Sequence, residues 1–281
     1  MIEQGTLYVC PTPIGNLEDI TFRVLETLKS VDLIAAEDTR HTKKLLNHFD
    51  IHTSIFSYHE HNKMKAGPVL IEKMESGQSI AIVTDAGTPG ISDPGEDLIK
   101  LAIEADIKVV SQPGATAFVT ALVASGLPTG KFVFEGFLDR HKKKRKEALE
   151  ALKNETRTVI FYEAPHRLTQ TLESILDVLG DRQMTAAREL TKRYESYVRG
   201  SVSEVIAHFT EHQPRGEFVL ILAGIHPDDI EQEGNPLLEM EIEDHLLHYI
   251  NQGLRKKEAA AEVAKARGLN KRDVYKMTID L

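Results

Sequence analysis

Ser79-Ile80-Ala81-Ile82-Val83-Thr84-Asp85-Ala86-Gly87-Thr88-Pro89-Gly90-Ile91-Ser92-Asp93-Pro94-Gly95 is the stretch on which the fold turns. Its first six residues have the apolar, β-branched character of a buried strand. The eleven that follow hold three Gly and two Pro. Gly admits backbone angles closed to other residues, and Pro fixes φ and removes a donor, so neither strand nor helix continues through them. The expected product is a shaped loop at the carboxyl end of a strand, where open α/β sheets place their ligands. A tight structural turn is the competing reading. No Lys-Ser or Lys-Thr follows the glycines and no dinucleotide fingerprint is present, so the ligand is expected to be gripped otherwise than by phosphates.

Outward from this loop, residues 1–115 alternate strand and helix. Strands are expected at Leu7–Cys10, Asp32–Ala36, Ile55–Tyr58, Ile80–Val83 and Ile107–Ser111, with helices between them, giving a mostly parallel sheet covered on its faces. A second α/β unit, 116–225, starts after Pro113-Gly114. Its strands are expected at Phe132–Phe134, Thr158–Tyr162, Met184–Arg188, Tyr194–Val198 and Phe218–Ala223, and their close spacing suggests a mixed sheet. The polar, Pro-bounded run His226–Pro236 reads as a linker. Beyond it, 237–281 reads as a small helical module (Leu238–Asn251, Lys256–Arg267, Lys271–Ile279) punctuated by Gly253 and Gly268.

A chain of 281 residues suits two ordinary domains, and 41% apolar with 27% charged residues describes a soluble globular protein. No run is long and apolar enough for a membrane span. The N-terminus lacks the basic and apolar regions of a signal peptide, and the single Cys10 excludes an internal disulfide, so a reducing cytoplasm is expected. The net charge of −9 argues against a wholly basic coat but leaves local patches open. The densest is Arg140-His141-Lys142-Lys143-Lys144-Arg145-Lys146, six cations in seven positions; from Arg255 onward eight Lys/Arg face four Asp/Glu. Each reads either as solvated helix surface or as an RNA contact.

Three more loops end expected strands: Pro11–Asn16, Glu37–Arg40 and Pro113–Ala117. If all four close one sheet, they converge on one crevice. Taken together, Pro11-Thr-Pro-Ile-Gly-Asn-Leu17, Ala36-Glu-Asp-Thr-Arg40, Asp85–Gly95, Gln112-Pro-Gly-Ala-Thr-Ala117, Tyr162-Glu-Ala-Pro-His-Arg167 and Ala187-Arg-Glu-Leu-Thr-Lys192 resemble the tetrapyrrole methylase superfamily of S-adenosylmethionine-dependent methyltransferases. Within it they are similar to the branch that methylates ribose 2'-hydroxyls of 16S rRNA. The resemblance is loosest after about Gly224.

The resemblance implies two α/β domains with the methyl donor, S-adenosylmethionine, in the cleft between them, and usually a homodimer. Carried over by motif, Pro13, Asp85, Ala86, Gly87, Thr88, Pro89, Ile91, Thr116, Ala117 and Tyr162 are expected to line the donor site, without metal. The implied acceptor is a decoding-region cytidine (cytidine 1402) of 16S rRNA within the 30S subunit. Arg40, Lys142, Lys143, Lys144, Arg145, Arg167, Arg188 and Glu189 are the candidates for holding it, since guanidinium groups pair with phosphate oxygens. Asp38 or Glu37 is the candidate general base; a salt-bridged turn with Arg40 is the alternative for that pair. His59-Glu60-His61 with nearby His52 offers no complete metal ligand set. A small tetrapyrrole or corrin substrate is the alternative acceptor, because the same fold serves both; the basic run and positive tail favour RNA.

Overall fold

The structure is a computed structural model that describes residues 2–227, 237 and 240–278. It forms two compact units, Met1–Ile225 and His226–Leu281. Residues 228–236, most of the expected linker, lie outside the described residues, as do Leu238 and Ile279 of the expected helices.

The first sheet contains β1 (Thr6–Val9), β2 (Leu33–Ala36), β3 (Ile55–Ser57), β4 (Ile80–Val83) and β5 (Lys108–Ser111), all parallel, in the order β3-β2-β4-β1-β5. Side chains alternate between its faces, as the period of two requires. Leu7, Val9, Ile80 and Ile82 pack on one face with residues of α3 (Lys63–Glu75) and α4 (Gly95–Glu104). Tyr8, Cys10, Ala81 and Val83 pack on the other with α1 (Phe22–Ser30) and α2 (Thr39–His48). The neighbouring strands β1 and β4 therefore lead to helices on opposite faces. That divergence opens a crevice at their carboxyl ends, the usual ligand position in such sheets.

The second sheet is mixed, in the order β6-β7-β10-β8-β9. Here β6 (Phe132–Phe137) runs parallel to β7 (Thr158–Glu163), while β8 (Gln183–Arg188), β9 (Ser196–Ser201) and β10 (Phe218–Leu222) join by antiparallel pairs. One face packs under α6 (Lys142–Glu150), α7 (Leu168–Leu179) and α8 (Val202–Glu211). The other is covered by α5 (Ala117–Ser125) and by Ile14, which arrives from the loop after β1 and ties the two sheets together. Most expected strands shift by a single residue at an end, and two differ by more. β6 continues past Phe134 because a bulge with Gly136 at φ +65° lets it resume pairing. β9 starts at Ser196 rather than Tyr194, since Glu195 N–H is used in a turn to Lys192 O.

The second unit contains α9 (Ile242–Asn251), α10 (Lys256–Arg267) and α11 (Lys271–Met277) around Leu246, Ala260, Val263 and Val274. Gly268 at φ +64° ends α10. The fully buried His245 has its pKa lowered by burial and by Arg267, whose Nε donates to Nδ1 at 3.1 Å.

Candidate functional site

Four loops meet at the carboxyl edge of the first sheet, and the segment after β4 is their hub. Thr12 N–H donates to Gly87 O, and Gly87 N–H to Thr12 O. Thr12 Oγ1 donates to Thr84 O at 3.0 Å. From the loop after β2, Asp38 N–H donates to Asp85 Oδ1 at 3.1 Å and Glu37 Oε2 accepts from Thr84 Oγ1 at 2.7 Å. From the loop after β5, Ala115 O accepts from Thr88 Oγ1 at 3.0 Å, and Thr116 Oγ1 lies 2.8 Å from the same hydroxyl. Asp93 folds the far end of the β4 segment back on itself, accepting from Gly90 and Gly95 N–H at 2.7–3.0 Å. Burial raises its pKa in spite of those donors.

These loops and the facing edge of the second sheet enclose a cavity of about 650 Å³, within the ~300–1,000 Å³ typical of ligand pockets. Asp85, Ala86, Gly87, Thr88, Ile91, Thr116, Ala117 and Tyr162, all expected from sequence, line it together. Tyr162 is fixed by Phe118 N–H, which donates to its hydroxyl at 3.3 Å, and by edge contacts with Phe134 and Phe137; burial raises its pKa. Pro13 lies instead in a smaller adjoining cavity. Pro89 lines neither, and packs where a Cβ at Gly95 would meet it at 3.3 Å. Its part is to shape the loop.

Residues 6–206 match the family described as Tetrapyrrole (Corrin/Porphyrin) Methylases, and residues 240–281 match an RsmI C-terminal HTH domain. The chain belongs to the tetrapyrrole methylase family. Among its relatives, a protein of Bacillus subtilis (strain 168) called ribosomal RNA small subunit methyltransferase I is 50% identical over 97% of this chain and 94% of its own. One of the same name from Synechocystis is 48% identical over 99% and 98%. Solved structures share the fold at lower identity. The methyltransferase CobJ aligns at 17% identity with TM-score 0.60, covering 79% of this chain and 98% of its own. Uroporphyrin-III C-methyltransferase from Thermus thermophilus, complexed with S-adenosyl homocysteine, aligns at 16% with TM-score 0.55, covering 78% and 97%. The tail, where the sequence resemblance is loosest, thus matches a domain of its own.

In this tetrapyrrole methylase the cavity suits a cationic donor. Glu37, Asp85, Asp93, Glu163 and Glu217 line it, of which Glu163 is paired with Arg167 and Glu217 with Lys192, and among the described residues His166 is the one lining side chain able to take a positive charge. S-adenosylmethionine carries a sulfonium and an ammonium and no phosphate, so its charge complements this lining. Several lining residues were not assigned to the site from sequence. Glu163, Ala164, Pro165 and His166 stand within a quoted motif, whereas Phe218 and Val219 read only as a core strand.

The methylase places its two candidate bases differently. Glu37 faces the cavity. Asp38 caps α2, accepting from Arg40 N, Nε and Nη2 at 2.8, 3.2 and 2.9 Å. The Arg40 hydrogen bonds hold its carboxyl far below the usual range, which makes it a weak base. The salt-bridged turn is the arrangement found, and Glu37 is the better placed of the two.

The candidate acceptor-holding residues are scattered. Arg145 is 1% exposed, with Nε donating to Ser174 Oγ and Nη1 to the carbonyls of Asp139 and Arg140, so it is a fastening inside the fold and not a surface charge. It lies inward because α6 presents one face to α7. Lys142, Lys143 and Lys144 remain exposed. Arg167 spends Nη2 on Leu138 O at 2.6 Å and lies 3.6 Å from Glu163. Arg188 Nε donates to Arg215 O, and Glu189 accepts from Lys192 and from Glu217 N–H. Arg40 is open to solvent on α2. His59 and His61 stack edgewise while Glu60 pairs with Lys63 and His52 with Asp50, and no group of three or more potential ligands forms among the described residues.

Proposed function

We propose that the chain transfers a methyl group from S-adenosylmethionine to the ribose 2'-hydroxyl of a decoding-region cytidine in 16S rRNA. The observation that carries this reading is the reach of the similarity. The rRNA methyltransferase relatives extend over 97–99% of this chain, which reaches into the second unit, and 240–281 match an RsmI C-terminal domain. The solved methyltransferase structures align with 78–79% of it.

When bound, the donor supplies an electrophilic methyl on a positive sulfur. Asp85, Gly87, Thr88, Ile91, Thr116, Ala117 and Tyr162 hold it, and the carboxylates around the cavity complement its charge. Alignment of the acceptor hydroxyl with the methyl and the sulfur supplies most of the acceleration. Glu37, oriented by Thr84, takes the proton released from that hydroxyl. No metal enters. Arg40 and Lys142–Lys144 hold RNA phosphates on the surface, outside the acidic cavity. Turning the nucleotide out of its stack costs a few kcal/mol, a cost met more easily where the 30S particle already presents it. The protein acts in the cytoplasm as a homodimer, for which exposed Val119 and Val123 on α5 offer an apolar face.

Incubation of the purified protein with labelled donor and either 30S particles or free 16S rRNA, followed by mapping of the methyl group, tests the reading. It requires a 2'-O-methyl cytidine in the decoding region, formed faster on the particle. Label on a porphyrin or corrin and none on RNA overturns it.

A further inference from the structure

Helix α2 carries Arg40, His41, Lys43, Lys44 and His48 and no acidic residue. Thr42, Leu45 and Leu46 are buried, which leaves the cations on its outer face. Arg40 is shared with Asp38, but no ion pair reaches Lys43 or Lys44 among the described residues. Helix α6 differs. There Lys143 stands 3.9 Å from Glu147, Lys144 3.8 Å from Asp139 and Lys146 4.0 Å from Glu150, while Arg145 is buried. The run that is denser in sequence is the more neutralised surface.

His41 and Lys44 also line the smaller cavity, of about 180 Å³, beside Pro13, Leu17 and Leu45. Thr84 and Asp85 belong to the walls of both cavities, so the smaller one abuts the donor pocket. Its volume falls below the ~300 Å³ at which whole-ligand pockets begin, which suits one inserted part of a larger molecule. Cations at the rim, an apolar wall and a boundary shared with the donor match what a polynucleotide requires. Phosphates are held outside and one nucleotide is taken in.

We infer that the α2 face and this cavity seat the RNA strand that carries the acceptor. Arg40, Lys43 and Lys44 hold phosphates flanking the target, and the acceptor nucleotide enters the cavity with its ribose toward Thr84 and Asp85. The inference rests on the rRNA reading and moves the principal anchoring surface from 140–146 to 40–44.

The test is binding of a fluorescent single-stranded RNA of decoding-region sequence across a salt series. Wild type is compared with K43Q/K44Q, K43R/K44R and K142Q/K143Q, with donor affinity measured for each. K43Q/K44Q should lose about tenfold in RNA affinity. Its slope of log affinity against log salt should fall by about 1.4, two phosphate contacts at ~0.7 each. The arginine pair should retain the wild-type slope, K142Q/K143Q should lose less than half as much, and donor affinity should hold throughout. A K43Q/K44Q protein with wild-type affinity and slope, or a larger loss from the α6 pair, overturns the placement while leaving the rRNA reading intact. A wild-type protein that transfers no methyl group to 30S particles overturns both.

Discussion

Thr12 and Gly87 exchange both of their backbone hydrogen bonds, at 2.9 and 3.0 Å. This two-residue antiparallel bridge stitches the loop after β1 to the segment after β4, across the point where the sheet's connections diverge. It consumes the N–H and C=O of Gly87, so this residue serves the pocket through its conformation, φ +87°, and through its lack of a side chain.

A Cβ at Gly87 would meet Ile14 Cγ2 at 3.4 Å and Ala115 O at 3.7 Å, ordinary contacts, so the cost of substitution is backbone strain. A non-glycine residue held in that region costs about 1–3 kcal/mol. Gly87→Val should weaken donor binding by about tenfold or more, and Gly87→Ala by less. Calorimetry with S-adenosylmethionine checks both, and added chelator should change neither. Wild-type affinity in the valine variant would remove Gly87 from the site.

Glu37 and Asp38 are adjacent in sequence and opposite in expected effect. Glu37→Gln should lower the rate of methyl transfer by about 10²-fold or more, the usual contribution of a general base, with donor affinity retained. Asp38→Asn should change the rate by a few-fold at most. Single-turnover kinetics on 30S particles separate the two.

Asp38 also carries a pH signature. Its folded pKa lies below the unfolded value of about 3.9, because Arg40 hydrogen-bonds the charged form. Its contribution is therefore present above that value and is lost as pH falls toward the folded pKa. Glu155, lowered to about 2 chiefly by its hydrogen bond with Arg157, follows the same sign. Asp38→Asn should make stability depend less steeply on pH below about 4, measured by denaturant titration across that range. An unchanged acid limb would contradict the cap.

Arg145 is expected to behave as a core residue. Arg145→Ala leaves Ser174 and two carbonyls without their donor, and should cost about 2–3 kcal/mol of stability. The salt dependence of RNA binding should stay as in wild type. A stable variant with a flattened salt slope would return Arg145 to the surface.

Removal of residues 237–281 should reduce methylation of 30S particles and leave donor affinity unchanged, because every residue lining the donor cavity lies before 225. Loss of donor binding on truncation would contradict this division.

The parallel sheet was legible because its buried strands are short, apolar and closed by Gly and Pro, and the composition of Asp85–Gly95 marked a shaped loop without separating a ligand loop from a structural turn. Convergence of the four loops follows from strand ends sharing one edge. Burial of Arg145 was not legible, since six cations in seven positions hide which one faces α7. Pairing on α6 was visible only as i,i+4 acids, whose effect depends on side-chain reach. Asp38 and Glu37 look alike in sequence. Only the helix start at Thr39 makes one a cap, while the Thr84 hydroxyl turns the other into the pocket.

The most direct measurement maps ribose methylation in 16S rRNA from cells with and without this protein. The account requires one decoding-region cytidine to lose its 2'-O-methyl group in the deletion strain and to regain it when the wild-type chain, but not Glu37→Gln, is supplied. A methylation map identical in the two strains would contradict it.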